Sequence, residues 1–126
     1  DQTCEFAVVN PNFLGIKSKY SWMACTESKT GNAPLQAIKK INLETKEELF
    51  WSAAPKGFVS EPIMVPKDNS KNEDEGFLLT LIWNGSRRGS DLIILNSRTL
   101  EELVTYELPI NIPHGLHGSW ANENLI

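Results

Sequence analysis

The chain has little of what most functional classes require. Its 126 residues hold two histidines and two cysteines, so a metal site built wholly from this chain would be short of nitrogen and sulfur ligands. Cys4 and Cys25 are too few for a disulfide framework and lack metal-ligand spacing, which points to free thiols in a reducing compartment. No run approaches the roughly 18 apolar residues of a membrane span. The first residues also lack the charged-then-apolar order of a signal peptide. Basic residues are scarce: 12 Lys and Arg against 16 Asp and Glu give a net charge of -4, with the signs interspersed except in residues 67–75. That balance excludes a nucleic-acid footprint. What remains, 40% hydrophobic and 22% charged residues, is the composition of one globular domain. Because residue 1 is aspartate and Glu5-Phe6-Ala7-Val8-Val9 already reads as a strand, the expectation is a piece of a longer protein.

Both histidines fall in Pro113-His114-Gly115-Leu116-His117-Gly118-Ser119-Trp120. Pro113 fixes its own φ, and Gly115 and Gly118 can take backbone angles closed to other residues, so this stretch reads as a turn that aims side chains. An imidazole aimed in that way is a candidate metal ligand. On these residues alone, a polar loop with two incidental histidines is the competing interpretation. Asn84-Gly85-Ser86 fits a glycosylation sequon but reads more simply as loop chemistry.

Self-similarity is the second signal. Ile38 to Leu49 is echoed by Leu92 to Leu103, with Asn42 matching Asn96 at an offset of 54 (96 − 42). Glu5-Phe-Ala-Val-Val-Asn-Pro11 is echoed by Glu61-Pro-Ile-Met-Val-Pro66 at 56 (61 − 5), and a further 56 reaches His117 (117 − 61). Tyr20 to Cys25 corresponds to Phe77 to Trp83 at 57 or 58. Each unit reads as strand, strand, hairpin. Leu78 to Trp83 and Leu92 to Leu95 are short apolar runs bounded by turn residues, as expected of strands covered on both faces. Thr99-Leu-Glu-Glu102 could open a short helix as a capping box, but Val104-Thr105-Tyr106 favours a hairpin turning at residues 96–99. Segments 27–33 and 67–76 are expected to be solvated loops. Four strands per repeat, stacked face to face, is the plan of a β-propeller. Two units cannot close a ring, so further blades are expected before Asp1.

With that repeat, Glu5-Phe6 before Asn10-Pro11, Tyr20, Ser60-Glu61-Pro62-Ile63-Met64-Val65-Pro66, and Ile112-Pro113 through His117-Gly118-Ser119-Trp120 resemble the C-terminal part of a carotenoid cleavage oxygenase, over residues 4–120. The resemblance implies an all-β fold: about two to two-and-a-half blades from the C-terminal part of a seven-bladed β-propeller, with residues 1–126 forming part of that single domain. It implies a non-haem iron(II) dioxygenase whose metal is held by four histidines. Of these, His117 is the one present here, as catalytic residue and iron ligand. Glu5 and Glu61 are implied as carboxylates accepting hydrogen bonds from iron-bound histidines. His114 is not a ligand in the family pattern and is expected at a tunnel mouth or packed in the turn. Trp22, Trp83 and Trp120 are expected in blade cores. The family commonly has proline after Glu5-Phe6 where this chain has Ala7. Fe(2+) is the implied cofactor. An apolar polyene, a carotenoid or apocarotenoid, and dioxygen are the implied partners, with a stilbene-type phenolic as the alternative substrate and no nucleic acid. The implied location is the cytoplasm or a plastid, with peripheral membrane contact through parts outside this chain. A chain with one of four ligands is expected to be inactive alone. The rival from another class is a non-catalytic propeller that binds proteins, which would need no further histidines upstream.

Overall fold

A computed structural model describes residues 2–28 and 34–123. Among the described residues nine strands form two antiparallel sheets, with one short 3-10 helix at Pro11–Phe13. The first sheet is a meander of β1 (Cys4–Val8), β2 (Tyr20–Cys25), β3 (Ala37–Asn42) and β4 (Glu48–Ser52) in that order. The second runs β7 (Gly76–Asn84), β8 (Gly89–Asn96), β9 (Glu102–Glu107), and its inner position is shared by two short strands. β5 (Gly57–Val59) pairs with one end of β7 and β6 (Ile63–Pro66) with the other. The two sheets are consecutive propeller blades, all-β as expected.

The repeat is visible atom by atom in the hairpin turns. Asn42 Oδ1 accepts from the backbone N–H groups of Glu44 and Thr45, and Asn96 Oδ1 accepts from those of Arg98 and Thr99. The next residues, Lys46 and Leu100, both take the left-handed backbone, at φ 66° and 58°. Such Asx geometry is why asparagine recurs at the turn, and the hairpin, not the helix, forms at 96–102. Register also settles the offset of the second strand. Ala24 pairs with Ile38 and Leu81 with Leu92, so β2 maps onto β7 at 57 (81 − 24). The inner strands differ. Ladder partners map Cys4 to Val59 and Val8 to Ile63, an offset of 55, so Glu5 and Glu61 fall one rung apart instead of on the same one.

One apolar core fills the space between the blades. Trp22, Ala24 and Ile38 from the first sheet meet Val59, Met64, Leu78, Ile82, Ile93, Leu95 and Leu100 from the second. On β7 the buried residues are Leu78, Thr80 and Ile82, every second position, as the pleat requires. Polar clasps tie the same interface. The Trp22 indole donates to the Ser97 carbonyl at 2.8 Å. Lys40 Nζ lies 2.8 Å from Asp74 Oδ2 and donates to the Arg98 carbonyl at 2.9 Å. The Glu73 carboxylate accepts from the backbone of Lys19 and Tyr20. Segment 67–76 is therefore not merely a solvated connection: its acidic pair holds the blades together. Of segment 27–33, residues 29–33 lie outside the described residues. Asn84 Oδ1 accepts from the N–H groups of Ser86 and Arg87, the loop chemistry expected of the sequon.

Candidate metal-ligand site

After β9 the chain leaves the outer edge of the second blade and crosses its free face. Leu108 N–H donates to the Ser90 carbonyl, and the Ser90 hydroxyl binds both the N–H and the carbonyl of Ile112. From this anchor residues 113–120 run without regular structure to the inner strand. That strand is interrupted at Ser60-Glu61-Pro62, between β5 and β6. Pro62 lacks the N–H a ladder would use, and the break turns Glu61 out of the pairing. Its carboxylate meets the arriving segment twice: Oε1 lies 3.2 Å from His117 Nδ1, and Oε2 accepts from Gly118 N–H at 2.8 Å.

This geometry sorts the ring nitrogens. A carboxylate on Nδ1 holds the proton there in the neutral imidazole, leaving the Nε2 lone pair available as a donor. Glu61 is largely shielded, with 15% of its side chain exposed, while 69% of His117 is exposed. A hydrogen bond from a ligand's second nitrogen to a carboxylate is the usual way a protein fixes tautomer and ring orientation at a metal. His117 is thus chemically fitted to give one nitrogen to a metal. Among the described residues no group of three His, Cys, Asp or Glu converges to hold one.

The first blade contributes Phe6, whose ring stands edge-on to the His117 ring at 5.8 Å between centroids and 89° between planes. Phe6 has φ 57°, a left-handed conformation rare for a bulky residue, within an irregularity of β1 between Glu5 and Val8. Glu5 stands beside it, exposed and opposite Ala24, and among the described residues its carboxylate has no partner. Of the two glutamates singled out by sequence, the structure therefore brings Glu61 to His117 and leaves Glu5 apart. His114 is exposed and edge-on to Phe58 at 6.5 Å, packed in the turn.

Two expectations about this segment change. Neither Gly115 nor Gly118 has a positive φ; among the described glycines Gly15 does. A Cβ at Gly115 would meet nothing, and one at Gly118 would come to 3.0 Å of Ile63 Cδ1, so Gly118 serves close approach and not a special angle. Trp22 is core at 0% exposure, but Trp120 is 53% exposed, its indole donating to Asn122. Trp120, Ile63, Leu79, Leu81 and Leu116 line an apolar cleft of about 310 Å³ beside His117. Sequence reading missed Phe6 as a neighbour of His117, because residues 5–9 read as an ordinary strand and the irregularity at Phe6 leaves no mark in their pattern.

The sequence matches the family model described as RPE65, retinal pigment epithelial membrane protein, over residues 1–122. The chain belongs to the RPE65 and carotenoid cleavage oxygenase family. It is 45% identical over 120 residues to the apocarotenoid-15,15'-oxygenase of Synechocystis sp., matching 94% of this chain and 24% of that protein. Among solved structures it resembles an ACO/RPE65 chimera with a TM-score of 0.93 and 43% identity, over 97% of this chain and 26% of that one. A cobalt-substituted Synechocystis ACO is similar at a TM-score of 0.92 and 43% identity, over 95% and 26%. The chain thus spans about a quarter of the length of the relatives it matches.

Proposed function

We propose that residues 1–126 form the C-terminal part of a seven-bladed propeller, a non-haem iron(II) dioxygenase that splits a conjugated carbon-carbon double bond of a carotenoid or apocarotenoid into two carbonyl products. The observation that carries this reading is the contact of Glu61 with His117 Nδ1, in a chain related to an apocarotenoid oxygenase. His117 would hold the metal through Nε2, and three histidines from outside these residues would complete the set. Bound iron(II) supplies the redox chemistry through which dioxygen is added across the double bond. This chain's residues hold and position. Glu61 keeps the proton on Nδ1, offsets part of the metal's charge in a site of neutral imidazoles, and clamps the backbone after the ligand. Glu5 would do the same for a histidine of another blade. The apolar cleft beside His117 suits a polyene. No side chain of this chain need act as a general acid or base.

A cytoplasmic or plastid enzyme touching a membrane peripherally fits an apolar substrate; among the described residues no helix is long and apolar enough to cross one. The test is to reconstitute the full-length protein anaerobically with iron(II), then supply dioxygen with an apocarotenal or a stilbene. Two carbonyl products from the apocarotenal, requiring both iron and dioxygen, are expected. Failure to take up iron would support the non-catalytic propeller, and cleavage of the stilbene alone would move the substrate to the phenolic class.

A further inference from the structure

We infer that Cys4 and Cys25 are an oxidation site: a thiol pair that closes into a reversible disulfide between β1 and β2. The two residues are direct cross-strand partners. The phase of the ladder decides whether their side chains can meet. The neighbouring pair, Thr3 and Thr26, is joined by a bond from Thr26 N–H to the Thr3 carbonyl at 3.0 Å. Hydrogen-bonded and non-hydrogen-bonded pairs alternate along antiparallel strands, so Cys4 and Cys25 occupy a non-hydrogen-bonded position. There the Cα atoms approach to about 4.5 Å and side chains lie closest, whereas disulfides need roughly 4.4–6.8 Å between Cα atoms. The ladder position thus brings the pair to the short end of the range that a disulfide spans.

The surroundings assign the roles. Cys4 is half-buried and Cys25 fully buried. Burial first, and then the neighbouring Cys4 sulfur, push the Cys25 thiol up to about 12, so Cys25 is not the first to react. Lys39 opposes that rise at Cys25 but does not overcome it, its ammonium lying 3.1 Å from Glu48 Oε1. The Cys4 thiol is held only by a weak bond to the Gln2 carbonyl at 3.6 Å, which a side-chain rotation breaks. With hydrogen peroxide as oxidant, the Cys4 thiolate attacks one peroxide oxygen, the O–O bond breaks, and the departing hydroxide leaves as water. Cys25 sulfur then attacks the resulting sulfenic acid, its proton goes to the leaving hydroxide, and a second water departs as the S–S bond forms. Two thiols lose two electrons in all, and one peroxide becomes two waters. Cross-strand geometry departs from relaxed disulfide geometry, which makes the bond readily reduced. Closure would pin β1 to β2 directly beside Glu5.

The test uses the full-length protein, treated folded with hydrogen peroxide, blocked with an alkylating agent and mapped as peptides. A Cys4–Cys25 linked peptide, two hydrogens lighter than the reduced pair and released by dithiothreitol, is expected in most molecules. The link should form at least about tenfold faster in folded than in urea-unfolded protein, as an aligned pair requires. Cys25→Ser should let Cys4 advance to sulfinic acid, and Cys4→Ser should leave Cys25 reduced. Sulfinic acid on Cys4 with Cys25 free in the unsubstituted protein, or no oxidation of either, would overturn the inference.

Discussion

Replacing Glu61 by glutamine removes a charge while keeping nearly the same shape, and the structure says what that costs. The carboxylate makes two bonds at once, to His117 Nδ1 and to Gly118 N–H. The amide offers one acceptor oxygen, so either Nδ1 or the Gly118 N–H must face an NH₂ group. If the NH₂ faces Nδ1, the imidazole proton moves to Nε2 and blocks the nitrogen proposed to bind iron. If the oxygen faces Nδ1, the clamp on the following backbone is lost. Either way one charge-assisted bond, worth roughly 1.5–3 kcal/mol, disappears. That range corresponds to about 10- to 160-fold in affinity, overlapping the roughly 10- to 100-fold usual for such a partner of a metal ligand. Anaerobic iron(II) titration of the full-length protein would read it, with circular dichroism checking the fold. An unchanged iron affinity in well-folded Glu61→Gln protein would refute the reasoning.

Asp74→Asn should destabilise the protein by roughly 3–5 kcal/mol in urea unfolding, because Lys40 would stay buried with its ionic partner gone. Burial works to raise the Asp74 carboxyl, but Lys40 and then Arg98 outweigh it and hold it below its ordinary value. A depressed folded value means the contribution is complete above about pH 4 and fades as pH falls further, so the gap between wild type and Asp74→Asn should narrow on acidification. Trp22→Phe should cost about 1–3 kcal/mol by orphaning the Ser97 carbonyl, and Trp22→Ala about 3–5 kcal/mol by opening a cavity in the core between the blades. Both would be read as shifts of the denaturation midpoint.

The repeat was legible because turn chemistry repeats: asparagine at 42 and 96 makes the same side-chain contacts, and the apolar runs alternate or continue as strand faces demand. The spacing made Glu61 and His117 counterparts in successive units, and the family resemblance set Glu61 against a metal-binding histidine without saying which, so their meeting is visible only in the fold. The interruption separating β5 from β6 was not legible, since a three-residue strand beside a proline carries almost no periodic signal. The clasp at Asp74 escaped for a different reason: its partners lie 34 and 24 residues away, at Lys40 and Arg98. The clue was on the other side, in Lys40, a lysine inside an apolar strand that had to find an acid. Trp120 was expected in a blade core together with Trp22; among these residues it lines the cleft beside His117, on the face of the second blade that the first does not cover.

The central claim is that His117 is one of the residues that hold iron. The most direct measurement is the iron content of full-length protein after anaerobic reconstitution, wild type against His117→Ala, both verified as folded. The account predicts stoichiometric iron in the wild type and its loss in the variant; a folded His117→Ala protein that retains its iron would contradict it.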